Sequence, residues 1–258
     1  MKKNPDASNF IPIDQIATSS VAYWFTYPFR QHAGLEKRME ELYRLDIDGI
    51  YDAGLYELGT HRLIGIGYQG VVMYARRGSA VLALKVRRQN ATVPSFENEA
   101  CCQKIGNGIG VGPNLLGESP NYLLMEYFPG LSFLKWLKRS DEKENPQLVR
   151  SLLKQILTQG YKLDRAGLDH GALSSFWHHV LIHNQQARLI DFSNSSLERK
   201  PSNLTSLASG LFIGRLIPDH LHPYFPMPDK KLLIPLVQKY KRNPSEKEFE
   251  AILQFTGV

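Results

Sequence analysis

Residues 65–75 read Gly65-Ile66-Gly67-Tyr68-Gln69-Gly70-Val71-Val72-Met73-Tyr74-Ala75, and the apolar run Ala80-Val81-Leu82-Ala83-Leu84-Lys85 follows closely. Glycines at GxGxxG spacing keep side chains away from backbone amides that approach phosphate oxygens, and a tight turn there predicts φ values that glycine reaches at least cost. The same spacing marks dinucleotide sites, where it closes a strand and opens a helix. Here the third glycine leads into Val71 to Ala75, a β-rich run, so the stretch predicts strand, turn, strand. Lys85 lies inside an apolar strand, where an ammonium is costly unless an acid meets it; the alternative is an edge-strand lysine snorkelling to solvent.

Outward from this hairpin, the first thirty residues show no clear period and read as an irregular N-terminal arm. Leu35, Met39 and Leu42 recur at helical spacing, and Asp46 to Gly49 ends that helix. Ser95 to Ala100 opens a second helix, which Gly106, Gly108, Gly110 and Gly112-Pro113 break. Asn121 to Tyr127 reads as a buried strand. Leu148, Leu152, Ile156 and Leu157 put an apolar stripe on a long helix ending near Gly167, and two short strands follow at Val180–Ile182 and Arg188–Ile190. Ser245 and Glu248 have capping-box spacing ahead of a C-terminal helix.

With 258 residues, 43% of them hydrophobic, the chain can bury a substantial core as one domain or two small lobes. No apolar stretch is long enough to cross a bilayer, and Met1 to Pro5 leads into polar residues without a signal-peptide core, so a cytoplasmic protein without membrane contact is expected. Cys101 and Cys102 are neighbours, which rules out a loop-closing disulfide between them and leaves them as small buried hydrophobes. A net charge of +6 hints weakly at an acidic or RNA-containing partner, without any aromatic-interleaved RNA-binding motif.

In order and spacing, residues from about Leu63 to Ser195 resemble the protein kinases. More narrowly, Ala83 to Arg88, Val111 to Leu116, Leu124-Met125-Glu126 and Leu163 to Gly171 look like the small prokaryotic predicted serine/threonine kinases, relatives of the RIO-type enzymes. The resemblance implies an α+β, two-lobe protein-kinase-like fold with an N-terminal arm and helix over 1–54, a β-rich lobe over 55–128 and a compact, mostly helical lobe over 129–258. It implies ATP held by Gly65, Gly67, Gly70, Val72, Ala83, Lys85 and the hinge Met125, Glu126 and Tyr127. It also implies magnesium, or manganese in its place, on Asp191 of Asp191-Phe192-Ser193. Glu99, which precedes Ala100 as the family's helix glutamate does, is the partner the resemblance implies for Lys85, while Glu97 lies about half a helical turn away. For Asp191 the alternative is an aspartate capping a turn.

The catalytic loop departs from the family. His170-Gly171-Ala172 carries alanine where an aspartate takes the substrate proton, which leaves Asp169 as the substitute base, and His179 stands where an asparagine holds a second metal. A zinc site among His170, His178, His179 and His183 lacks a cysteine or carboxylate at a recognised ligand spacing. No Ala-Pro-Glu motif follows Asp191, so a standard peptide platform is not expected. Two functions follow: a phosphotransferase acting on Ser or Thr hydroxyls of a protein substrate or of itself, and a pseudokinase that binds nucleotide and docks a partner. A basic RNA-associated adaptor is a third class.

Overall fold

Both strands beyond the glycine turn are apolar along their length, and in the computed structural model they sit inside an antiparallel sheet. The structure describes residues 5–29, 33–139, 145–224 and 226–258; the polar start read over residues 1–4 lies outside them. The chain divides into two units, Met1–Cys101 with Pro113–Tyr127 and Cys102–Gly112 with Phe128–Val258. It is a mixed α/β protein with one large antiparallel sheet.

The first unit runs β1 (Phe10–Pro12), α1 (Ala22–Thr26), α2 (Leu35–Tyr43), β2 (Gly49–Tyr51), β3 (Tyr56–Leu58), β4 (His61–Leu63), β5 (Gly65–Ile66), β6 (Gly70–Arg77), β7 (Ala80–Arg87), the start of α3 (Glu97–Gly108), β8 (Leu115–Ser119) and β9 (Tyr122–Glu126). The sheet order is β1-β2-β6-β7-β9-β8, with β5 paired to β6 and a separate hairpin of β3 and β4. Because side chains alternate, pairing Val72 with Lys85 and Lys85 with Leu123 sorts the residues by face. Val71, Met73, Leu84, Val86 and Leu124 share one face and are fully buried against Ile16, Trp24, Phe25 and Leu42. The arm expected to be irregular is thus partly ordered. Ile16, Trp24 and Phe25 cover the sheet, and Phe10–Pro12 extends its edge. No local period announces those contacts, because the surface they bury belongs to strands far along the chain.

Two polar ties fix this unit. Buried Glu41 of α2 accepts from Ser119 Oγ at 2.8 Å, Asn121 Nδ2 at 2.8 Å and Asn121 N at 3.1 Å. His61 hydrogen-bonds Asp52 at 2.6 Å and Ser20 Oγ at 2.7 Å, stapling β4 to the approach of α1.

The second unit continues from α3 with β10 (Leu131–Ser132), α4 (Phe133–Leu137), α5 (Pro146–Arg165), β11 (Val180–His183), β12 (Gln186–Leu189), α6 (Asn203–Ala208), α7 (Leu216–Leu221), α8 (Lys230–Arg242) and α9 (Glu246–Thr256). Strands β10, β11 and β12 form a small antiparallel sheet. Helix α5 starts with Asn145 accepting from Gln147 N and with Pro146 in its first turn, and its stripe Leu152, Leu153, Ile156 and Leu157 is fully buried. A π-helical turn, Ser209–Ile213, extends α6. Ser245 Oγ accepts from Glu248 N at 3.4 Å at the start of α9.

Two expectations change here. Gly106 does not break α3, which continues to Gly108. A Cβ at Gly106 would stand 2.9 Å from Phe192 Cζ, so the glycine makes room for that ring. The helix ends before Gly112, whose φ of +83° and Phe192 contact both demand glycine. Of the adjacent cysteines, Cys102 is buried and Cys101 is exposed, as neighbouring helical positions point apart. Among the described residues, no helix is long and apolar enough to cross a membrane.

Candidate functional site

In the first unit, one sheet face gathers most of the residues expected to hold nucleotide. The register places Val72 and Leu123 beside Lys85, and Tyr74 and Met125 beside Ala83. Gly70 pairs with Arg87 on the same face. Helix α3 covers part of this face, where Phe96 and Ala100 pack on Leu123. Val72 and Met125 stay half-buried, so this face carries an apolar surface beside an ammonium.

Lys85 is not an edge-strand lysine: β7 lies between β6 and β9. Its Nζ donates to Glu99 Oε1 at 2.6 Å, with side-chain exposures of 9% and 5%, and lies 5.3 Å from the Phe96 ring centre. Such enclosure keeps the pair almost unscreened by water. Glu97 is exposed.

Gly70 in the glycine turn demands glycine for a different reason than expected. Gly65, Gly67 and Gly70 do not have positive φ. A Cβ on Gly70 would instead stand 2.7 Å from Val86 O, whereas the space beside Gly65 is open. Gly67 N donates to Gly70 O at 2.8 Å, closing the turn. Arg88 anchors it by donating to Gly67 O at 3.1 Å, and the Gln69 side chain bonds Thr92 at 2.7 Å. The N–H groups of Tyr68 and Gln69 donate to no acceptor among the described residues, which leaves two amides at the tip.

The hinge backbone is partly committed. Glu126 N donates to Asn114 O at 2.9 Å, while β9 pairs with β7 as far as Glu126 opposite Leu82. The Tyr127 hydroxyl meets that of Tyr74 at 3.0 Å, and burial pushes its pKa up.

The second unit holds the acidic and imidazole candidates. Asp191 ends β12's run with φ +71°, a left-handed conformation that costs a non-glycine residue roughly 1–3 kcal/mol. Its Oδ1 accepts from Ser193 N at 3.3 Å, the turn-capping geometry, while Oδ2 lies 3.8 Å from His179 Nδ1. A carboxylate suits magnesium, but an imidazole does not replace a second oxygen ligand well. Among the described residues, no three His, Cys, Asp or Glu side chains group as a metal cage; magnesium held by one or two carboxylates plus phosphates and waters requires none.

Asp169 is tied down. Its Oδ2 accepts from Arg199 Nε at 2.7 Å, and its backbone forms a bridge with Ser196. The Arg199 guanidinium also reaches Asn194 O, through space that only a glycine at 171 leaves open. His170 is fully buried, packed against the Phe192 ring at 5.3 Å, with Nε2 facing Ile190 O at 3.2 Å and Nδ1 without a hydrogen-bond partner. Burial lowers its pKa from 6.5 to about 4, so the ring is neutral at pH 7.

No known protein family matches the chain, and no curated protein matches it either.

Sequence reading missed the residues that hold the loop after α5. Asn203, only 1% exposed, accepts from His170 N at 2.9 Å and donates to Leu168 O at 2.7 Å and Asp164 Oδ1 at 2.8 Å. Asp164 also accepts from Asn203 N, Leu204 N and Tyr240 OH. Burial raises the Asp164 pKa, and these bonds oppose the rise. An acid late in α5 and an asparagine opening α6 carry no joint signal in sequence, since 39 positions separate them.

Proposed function

We propose that this chain is an ATP- and magnesium-binding, protein-kinase-like phosphotransferase of the cytoplasm that acts on Ser or Thr hydroxyls of a protein or of itself. The observation that carries it is the buried Lys85–Glu99 pair on the face shared with Val72, Ala83 and Met125. Burying two charges is costly, and replacing such a pair with apolar residues is often neutral or stabilising, so its presence under a glycine turn with two unbonded amides favours a phosphate-binding role. In this assignment Lys85 holds phosphate, Glu99 positions Lys85, the apolar face and Tyr127 backbone take adenine, and Asp191 supplies the metal's carboxylate. Bound magnesium would neutralise phosphate charge.

One observation favours a second function, a nucleotide-binding pseudokinase that docks a partner. Ala172 cannot accept a proton, and Asp169 is engaged by Arg199 at 2.7 Å. A carboxylate so paired is a poor base until the arginine leaves. Thermal unfolding with and without ATP and magnesium tests the shared part: wild type gains stability and Lys85→Ala does not. Transfer of labelled phosphate then separates the two. Turnover that Asp169→Asn removes supports the phosphotransferase, and nucleotide stabilisation without turnover supports the pseudokinase. Absence of any nucleotide effect on the wild type overturns both.

A further inference from the structure

Within the second unit, a groove of about 740 Å³ runs between α6 with its π-helical extension and α8. The volume is that of a ligand site. The two helices run antiparallel: Tyr240 at the end of α8 and Leu204 at the start of α6 share Asp164, while Lys230 at the start of α8 donates to Gly214 O. One wall is a hydroxyl stripe of Ser202, Ser206 and Ser209, and the other presents Ile234 and Val237, with Trp177 also lining the groove. Arg215 lies beside Gly214 at one end, and Lys241 lies one residue past Tyr240 at the other. No acidic residue lines the groove.

These polar groups are uncommitted. Neither cation has a salt bridge or side-chain hydrogen bond among the described residues, and neither do the hydroxyls of Ser202, Ser206 and Ser209. From Lys230, which meets Gly214 beside Arg215, to Tyr240 beside Lys241, α8 advances about 15 Å at 1.5 Å per residue, which sets the spacing of the two charged ends.

We propose that this groove binds an extended acidic peptide segment of a protein partner, with two carboxylates five residues apart and an apolar side chain between them. Hydroxyls spaced along a helix both donate and accept, which matches the alternating groups of a peptide backbone and has no counterpart along an acyl chain. A polyproline II segment rises about 3.1 Å per residue, so residues five apart span about 15 Å, close to the distance between Arg215 and Lys241 estimated from α8. Ile234 and Val237 then receive the apolar side chain. This site needs no nucleotide and is independent of the assignment of Lys85 and Asp191.

The test is fluorescence anisotropy on the full chain without nucleotide, using a labelled peptide containing Glu-Pro-Pro-Leu-Pro-Glu. Binding is expected to weaken about tenfold or more in Arg215→Glu/Lys241→Glu, as charge reversal at both ends adds repulsion. Ser206→Val/Ser209→Val, which leaves the cations in place, is expected to weaken it as well. A Gln-Pro-Pro-Leu-Pro-Gln peptide should bind as poorly as the charge-reversed variant binds the acidic one. Equal binding of the neutral peptide, or an unchanged affinity in the charge-reversed variant with its melting temperature intact, overturns the proposal. So does displacement of the peptide by sodium dodecanoate or a single-stranded RNA at lower concentration than by unlabelled peptide.

Discussion

Replacing Lys85 with methionine removes one charge of a pair whose side chains are only 9% and 5% exposed, leaving the Glu99 carboxylate buried. Breaking a buried pair from one side costs about 3–5 kcal/mol, because the remaining charge keeps its desolvation penalty without its partner. At roughly 2–4 °C per kcal/mol for a domain of this size, Lys85→Met should melt roughly 6–20 °C below wild type. Glu99→Leu should fall in the same range, as it strands the ammonium. The double variant Lys85→Met/Glu99→Leu places two apolar side chains beside Phe96, Ala100 and Leu123, so it should recover to within about 1–2 kcal/mol of wild type. Trp24, buried in the same unit, reports this transition once Trp136 and Trp177 are replaced by phenylalanine. Urea unfolding of the four proteins without nucleotide then yields the coupling energy. Single variants within about 1 kcal/mol of wild type, or a double variant as unstable as both losses added together, would show that water or neighbouring groups already solvate the charges.

Three further outcomes are expected. Asn203→Ala leaves His170 N and Leu168 O buried without their partner, so unfolding free energy should drop by about 2–5 kcal/mol in chemical denaturation. Since His170 titrates at about 4 when folded against 6.5 when unfolded, the unfolded chain binds more protons between those values. Stability should therefore hold above pH 6.5 and fall by about 3 kcal/mol on going down to pH 4, and His170→Gln should flatten that part of the profile. Gly112→Ala combines a left-handed backbone with a Cβ only 2.7 Å from the Phe192 ring, so a loss of about 2–4 kcal/mol should appear in thermal melts, larger than for Gly110→Ala, whose Cβ would meet only Lys162 Nζ at 3.7 Å.

Much of the architecture was legible because it is written in local chemistry. The β-rich run after Gly70 dictates a strand and not a helix, the apolar stripe of Leu152, Ile156 and Leu157 marks α5, and Ser245 with Glu248 starts α9. The pairing of Lys85 with Glu99 rather than Glu97 was also readable, since helical periodicity points the two acids apart and the resemblance picks the one before Ala100. By itself, then, the chain's order of residues determined the hairpin strands β6 and β7, helices α2, α3, α5 and α9, and which side chains demand partners. Only the tertiary structure decided who those partners are. It engaged Asp169 with Arg199, collected four bonds on Asp164, used Gly106 to admit Phe192, and drew two helices together so that hydroxyls and cations line one groove. Local propensity acts over a few residues, whereas a hydrogen bond or a close approach across 30 positions depends on where folding brings each segment.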